Sequence, residues 1–527
     1  MGGAEQVLLG APVGSRYRRY LNRRSASCLV SASFILQFVI LLWLKNSDAN
    51  SGRSNSLEKS KILWTSCGAN LECGRLEAPL DYSNISSPSV SIYVTRYLAT
   101  KRTSRLGSIF VNPGGPGGSG AALVFGAGEQ LSKIMDGKYD IVGWDPRGVG
   151  GTRPRFECFD SQTKTSSTPT PTRYFQCSRE TCPIPLSLPL LKRGLASRTD
   201  EVLPFHVYAR KGPEKYIDTI IGSYLVNLFP ELVGRVIIDG VVDPHMWANI
   251  PPHKWPKADL DPEKALANFF NTCVMAGPQR CALAHNTSTS RSVASAVDKL
   301  LKDLHKHPLP VPHAARPGVL TASMVQSLMY GSLSRPRSWP AFAHLLSSAI
   351  KGNGEPILNA MAQNVELDPS KPARTEYAPL AIICADSVGY DGADKDALFD
   401  EMMATPKCLN KTERIGAPST PLAFARKVNE YLNDSSRLVI QDGSGHCSIA
   451  MASLCTIKII RDYFLHGKLP QNGVICPVDE ILFPPSSGSA DQLNVPREGI
   501  SDEDKMLLKN VQELGDVVIP FSPFRPW

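Results

Sequence analysis

The chain has 527 residues, of which 42% are hydrophobic, with a net charge of +8 and 13 cysteines. That length holds two or three small domains, or one large α/β domain with an insertion. Five of the positive charges (Arg16, Arg18, Arg19, Arg23 and Arg24) precede residue 25, so the body is nearly balanced. A basic body that grips nucleic acid is excluded on that ground, and no nucleic-acid partner is expected.

Residues 1–24 are predicted as a basic cytosolic segment, and residues 25–44 form an uncharged, mostly apolar run. About 20 residues at ~1.5 Å each match a hydrocarbon core of ~30 Å. Arginines before the run place that end in the cytosol. The expectation is a single-pass membrane protein anchored by an N-terminal helix, its exodomain in the secretory lumen or outside the cell. A secreted product with the run removed as a signal is the alternative. Residues 45–60 are a polar tether. Beyond Cys28 an even 12 cysteines remain, and Cys67/Cys73, Cys273/Cys281 and Cys455/Cys476 are spaced for short disulfide loops. Sequons at Asn84, Asn286, Asn410 and Asn433 agree with export. No cysteine or histidine set has zinc spacing, so no metal is expected.

From Ile62 the texture is globular. Ser91–Leu98, Ser108–Asn112, Tyr139–Trp144 and Arg235–Asp239 are short apolar or alternating runs bounded by turn residues. They predict strands of a mostly parallel sheet with helices between them. Residues 61–244 form the first part of this core, and residues 245–375 a helical cap. Within the cap, helices are expected around Asp261–Cys273 and Ser292–Leu304. The core resumes over residues 376–485, with strands at LAIICA near Leu380 and at Arg437–Gln441. A helix follows from about Ile449 to Leu465, stopped by Gly467. Residues 486–527 are predicted to be a loosely packed tail. Residues 161–200 are rich in Ser, Thr and Pro and carry neither periodicity.

Two loops carry the chemistry. Asn112–Gly120 reads NPGGPGGSG after a strand. Its glycines leave backbone N–H groups bare, as an oxyanion requires, and it lacks the Gly-Lys-[Ser/Thr] ending of a phosphate loop. Asp442–Cys447 reads DGSGHC between a strand and a helix, a setting that suits His446 as a general base. Asp145–Gly150 (DPRGVG) is a strand-end turn braced by an Asp–Arg pair.

These motifs, with FPELVGRVIIDGVVDP at 229–244, CVMAGPQRCAL at 273–283 and the stretch Arg437–Pro470, resemble the tripeptidyl-aminopeptidase-like branch of the α/β-hydrolases. The resemblance covers about Ile62 to Pro485, apart from 161–215. It implies an α/β-hydrolase fold with a helical cap, a Ser-Asp-His triad, no cofactor, and a peptide or other small acyl substrate. It maps the oxyanion loop onto Gly114, Gly115, Gly117 and Gly118, and the base onto His446.

The chain departs from that pattern at two points. It contains no G-x-S-x-G, the motif that carries the nucleophile. Text matching the family resumes at Thr219, which leaves Tyr216 in the serine's place and no apolar strand ahead of it. Ser223 lies seven residues further on, ~10 Å along a helix and too far for attack. Where relatives read D-P-V-T-P-L, residues 417–422 read APSTPL, with Ala417 at the acid position and no strand before it. The lineage is thus that of a serine exopeptidase or acyl hydrolase, with nucleophile and acid apparently lost. A non-catalytic peptide-binding surface protein and an esterase or lipase of the same fold are the alternatives.

Overall fold

Short apolar runs bounded by glycine and aspartate build a ten-stranded sheet. The computed structural model describes residues 5–10, 62–81, 87–156, 214–218, 220–228, 233–250, 262–362, 378–386, 420–485 and 499–518. Its strands are β1 (Glu5–Gly10), β2 (Thr65–Gly68), β3 (Leu71–Pro79), β4 (Ser89–Tyr97), β5 (Gly107–Val111), β6 (Tyr139–Trp144), β7 (Glu214–Asp218), β8 (Val233–Asp239), β11 (Ser436–Asp442) and β12 (Val474–Pro477). Two short strands, β9 (Leu309–Val311) and β10 (Gly318–Leu320), pair separately. The order across the main sheet is β12-β11-β1-β8-β7-β5-β6-β4-β3-β2.

The sheet is mixed, not mostly parallel. β6, β5, β7 and β8 run parallel, as do β11 and β12. The pairings of β2 with β3, β3 with β4 and β4 with β6 are antiparallel, as are both pairings of β1. A strand does precede residue 219: β7 contains Tyr216, opposite Phe110 on one side and Val236 on the other. The slot between β8 and β11 is filled by β1, from the segment expected in the cytosol. The proposed membrane run at 25–44 and the stretch 161–200 lie outside the described residues. Among the described residues, no helix is long and apolar enough to cross a membrane.

Helices cover both faces. α1 (Gly120–Ile134) follows β5, α2 (Ile220–Leu228) follows β7, and α3 (Pro244–Asn249) follows β8. The alternation of a strand then sorts side chains between faces. Ile237 and Val439 pack in the cluster that includes Val124 and Leu131 of α1. Their neighbours Val236, Ile238, Leu438 and Ile440 pack with Leu225 and Val226 of α2.

Between β8 and β11 the chain builds α4 (Pro262–Ala276), α5 (Ser290–Lys306), α6 (Ala322–Leu333), α7 (Trp339–Ile350) and α8 (Glu355–Ala362). These helices have their own core around Phe269, Trp339 and Phe342, into which Phe483 of the C-terminal region inserts. α9 (Ala378–Asp386) is the LAIICA segment, a helix where a strand was expected. A short apolar run has no decisive period, and Pro379 in its first turn favours a helix. α10 (Leu422–Leu432) then leads into β11. α11 (Leu454–His466) starts later than expected because the Ser453 side chain caps it by accepting from the Thr456 N–H. It ends at Gly467, which is left-handed, as the sequence predicts. The described part of the tail, residues 499–518, is not loosely packed. α12 (Asp502–Val518) buries Leu507, Leu508, Val511 and Leu514 beside α1 and α11.

The three cysteine pairs singled out by spacing form disulfides: Cys67–Cys73, Cys273–Cys281 and Cys455–Cys476. The last ties α11 to β12 across 21 residues. Loop-closure entropy predicts that the Cys455→Ser/Cys476→Ser variant loses about 3 kcal/mol. A urea melt of that variant against the parent checks this.

Candidate functional site

The C-terminal ends of the parallel strands form one edge, and two loops leave the sheet there. After β5, the chain turns through Gly114, Gly115 and Gly117, all with positive φ (72°, 123° and 92°) that only glycine adopts freely. The Gly114 N–H donates to the Asn112 side chain at 2.7 Å, and the Gly118 N–H donates to the Gly114 carbonyl at 3.0 Å. Among the described residues, those two donors are engaged within the loop. Among the described residues, the Gly115 and Gly117 N–H groups have no backbone acceptor within the loop. A Cβ on Gly117 would come within 2.8 Å of Pro379, so α9 lies directly on this loop.

Asp145 fixes the end of that loop. Its carboxylate accepts from Ser119 Oγ at 2.5 Å, the Ala121 N–H at 3.2 Å and the Gly151 N–H at 2.6 Å. Arg147 points elsewhere and donates to the Leu80 carbonyl at 2.8 Å. The turn after β6 is therefore braced by Ser119 and backbone donors rather than by the expected Asp–Arg pair. Ser119 also caps α1 by accepting from the Ala122 N–H, so it has a structural task already. Ser223 is buried within α2.

The second loop follows β11. The ring of His446 approaches Gly240, just beyond β8, where a Cβ would stand 3.4 Å from its Cε1 and 2.7 Å from Cys447 Sγ. Gly240 is left-handed, so glycine is required there on both counts. The loop is anchored from below by Asp239, which accepts from the Ser448 N–H at 3.0 Å and Ser448 Oγ at 2.8 Å. From above, the helical insertion supports it: the His446 N–H donates to the Ser334 carbonyl at 3.1 Å, and Asn268 Nδ2 donates to Ser444 Oγ at 2.6 Å.

Removal from water, aided by the nearby positive charge of Arg335, lowers the His446 pKa to about 4. Its Nδ1 stands 3.5 Å from Thr420 Oγ1. Thr420 comes from the same APSTPL stretch as Ala417, which itself lies outside the described residues. Burial raises Asp239 to about 6 against its Ser448 hydrogen bonds. Asp386, at the end of α9, is likewise raised to about 6 by the surrounding protein, while a 3.3 Å bond from Trp247 Nε1 favours its ionised form.

The structure brings the glycine loop and His446 to one sheet edge. Tyr216 lies within β7, two residues before the strand's end. Thr420, Asp239, Arg335 and Asp386 escaped the sequence reading. Only Thr420 had a signal, its place in the APSTPL stretch.

Two measurements follow. Asp145→Ala leaves buried donors without an acceptor and is expected to cost about 2–4 kcal/mol, read by chemical denaturation. The His446 imidazole should remain neutral down to about pH 4, read by NMR titration. Its contribution to stability is present above pH ~6.5, the unfolded value, and is lost as pH falls toward the folded value. Arg335→Ala should move the titration midpoint upward.

Comparison with known proteins bears on this arrangement. Residues 414–476 match the family model described as TAP-like protein. The chain is 26% identical over 494 residues to the tripeptidyl aminopeptidase of Streptomyces lividans, a match covering 79% of this chain and 87% of that protein. It is 25% identical over 362 residues to the serine protease Hip1 of Mycobacterium tuberculosis, spanning 62% of this chain and 65% of Hip1. A shorter stretch of 87 residues is 34% identical to carboxylesterase B of the same species, 16% of each chain. On these findings the chain is similar to α/β-hydrolases of peptidase type, and residues 414–476 carry the likeness to the TAP-like model.

Proposed function

We propose that this chain is a peptidase-type hydrolase by descent, that its site holds the free N-terminal end of a peptide, and that this sequence does not carry out acyl transfer. The observation that carries the reading is that the Gly114–Gly118 loop, after β5, and His446, after β11, leave the sheet at the same edge, in a chain 26% identical to a tripeptidyl aminopeptidase. In it, the Gly115 and Gly117 N–H groups take the peptide carbonyl oxygen, and His446 has the place of the general base. Acyl transfer also needs a hydroxyl to add to that carbonyl carbon as its proton passes to the base. The sequence has no G-x-S-x-G to supply it; Tyr216 and Ala417 occupy the nucleophile and acid positions.

An aminopeptidase site must also receive an ammonium group, and Asp386 is the carboxylate assigned to it. Pro379 packs on Gly117, and the helix carries Asp386 ~10 Å beyond Pro379 at ~1.5 Å per residue. An extended tripeptide spans about 10 Å, from the carbonyl at the loop to its amine. The three disulfides support an oxidising compartment.

The chain is expected to show no labelling by a fluorophosphonate probe. Labelling abolished in a Ser223→Ala variant would overturn the proposal. A tripeptide amide with a free amine should bind by calorimetry, weaken at least several-fold in Asp386→Asn, and lose its advantage over the N-acetylated form. Equal binding of both peptides to the parent would remove Asp386 from this role.

A further inference from the structure

We infer that the slot between β8 and β11 is a strand-acceptor site, and that its occupant is this chain's own segment Glu5–Gly10. Two facts define the slot. β8 and β11 both run antiparallel to β1 and hence parallel to each other, one strand apart. Their flanking residues Val236, Ile237, Ile238, Leu438, Val439 and Ile440 are all buried, so the facing edges lie inside the core. Unpaired N–H and C=O groups there would lack both water and partners.

The occupant meets that demand along its length. All six residues of β1 pair with β11, from Glu5 opposite Gln441 to Gly10 opposite Ser436. Four of them pair with β8, from Val7 opposite Asp239 to Gly10 opposite Val236. Val7-Leu8-Leu9 is the continuous apolar run that a strand covered on both faces calls for. Such pairing is β-augmentation, in which main-chain bonds supply most of the affinity. Along the chain, residues 11–61 separate the segment from β2, the next described strand.

Two consequences follow. Glu5–Gly10 and the hydrolase body share one side of any membrane, because ~30 Å of hydrocarbon cannot separate paired strands. Occupancy also governs the His446 loop. β1 is the strand between Asp239 and the end of β11, and Asp239 holds Ser448 across it.

Paired cysteines test the register in the full chain. Leu8→Cys/Leu438→Cys and Leu9→Cys/Arg437→Cys cover adjacent pairs, one of which is the closer, non-hydrogen-bonded kind that favours cross-linking. Mild oxidation followed by peptide mapping should recover the linked peptide from at least one variant and none from Leu8→Cys/Val319→Cys. A variant lacking residues 1–10 should bind a labelled peptide of residues 4–11, whereas the full chain should not. No linked peptide from either pair would overturn the proposal, as would cross-linking found only between two copies of the chain. Should the deletion variant fail to fold, the cross-link decides alone. Loss of fluorophosphonate silence or of peptide binding would bear on the proposed function and leave the slot untouched.

Discussion

A strand edge buried on both faces has to be paired, and the architecture around the site depends on that requirement. β8 and β11 deliver Gly240 and His446 to the same edge, yet they are not neighbours. Only a strand between them keeps both ends in register. Each lost pairing would strand several polar groups at ~1–3 kcal/mol apiece, against a net stability of ~5–15 kcal/mol. The intervening strand need carry no catalytic residue to be indispensable.

The site is assembled where three bodies touch. The sheet contributes the glycine loop and Asp239, the helical insertion contributes Ser334 and Asn268, and the C-terminal region closes the joint. Arg337 makes that closure concrete. Its guanidinium meets Glu480 through bonds of 2.8 and 2.6 Å and donates to the Gln512 carbonyl of α12 at 3.0 Å. Glu480 in turn accepts from the Ala452 N–H at 2.9 Å, just beyond the His446 loop. A paired, mostly buried charge of this kind is costly to break from one side, because the partner is left desolvated. Helical insertion, His446 loop and α12 are thereby held as one assembly.

Legibility in the sequence followed the kind of force involved. Strands β5, β6, β8 and β11 were readable because each is a local apolar run between turn residues, and the disulfides because their loops are short. Gly467 was readable because a helix stop is local chemistry. LAIICA was not, since a short apolar run suits a buried helix as well as a strand. α12 carried the right spacing at Leu507, Val511 and Leu514, but its polar remainder resembled a tail. β1 and the contacts of Asp145 and Asp239 were invisible, because they join residues far apart in the chain. Nothing in a local window specifies which distant edge a segment will meet.

The state of His446 bears on the chemistry proposed for the site. A carboxylate at the imidazole's Nδ1 stabilises the imidazolium that forms as a nucleophile is deprotonated. Here a hydroxyl, Thr420 Oγ1, stands beside Nδ1, while burial and Arg335 both press the ring toward neutrality. A neutral hydroxyl cannot balance a buried cation as a carboxylate does. The imidazole is therefore set to exchange hydrogen bonds with a bound group rather than to take up its proton. Restoring a serine alone would leave that bias in place. On the proposed reading, acyl transfer calls for a carboxylate beside Nδ1 as well as a hydroxyl at the end of β7.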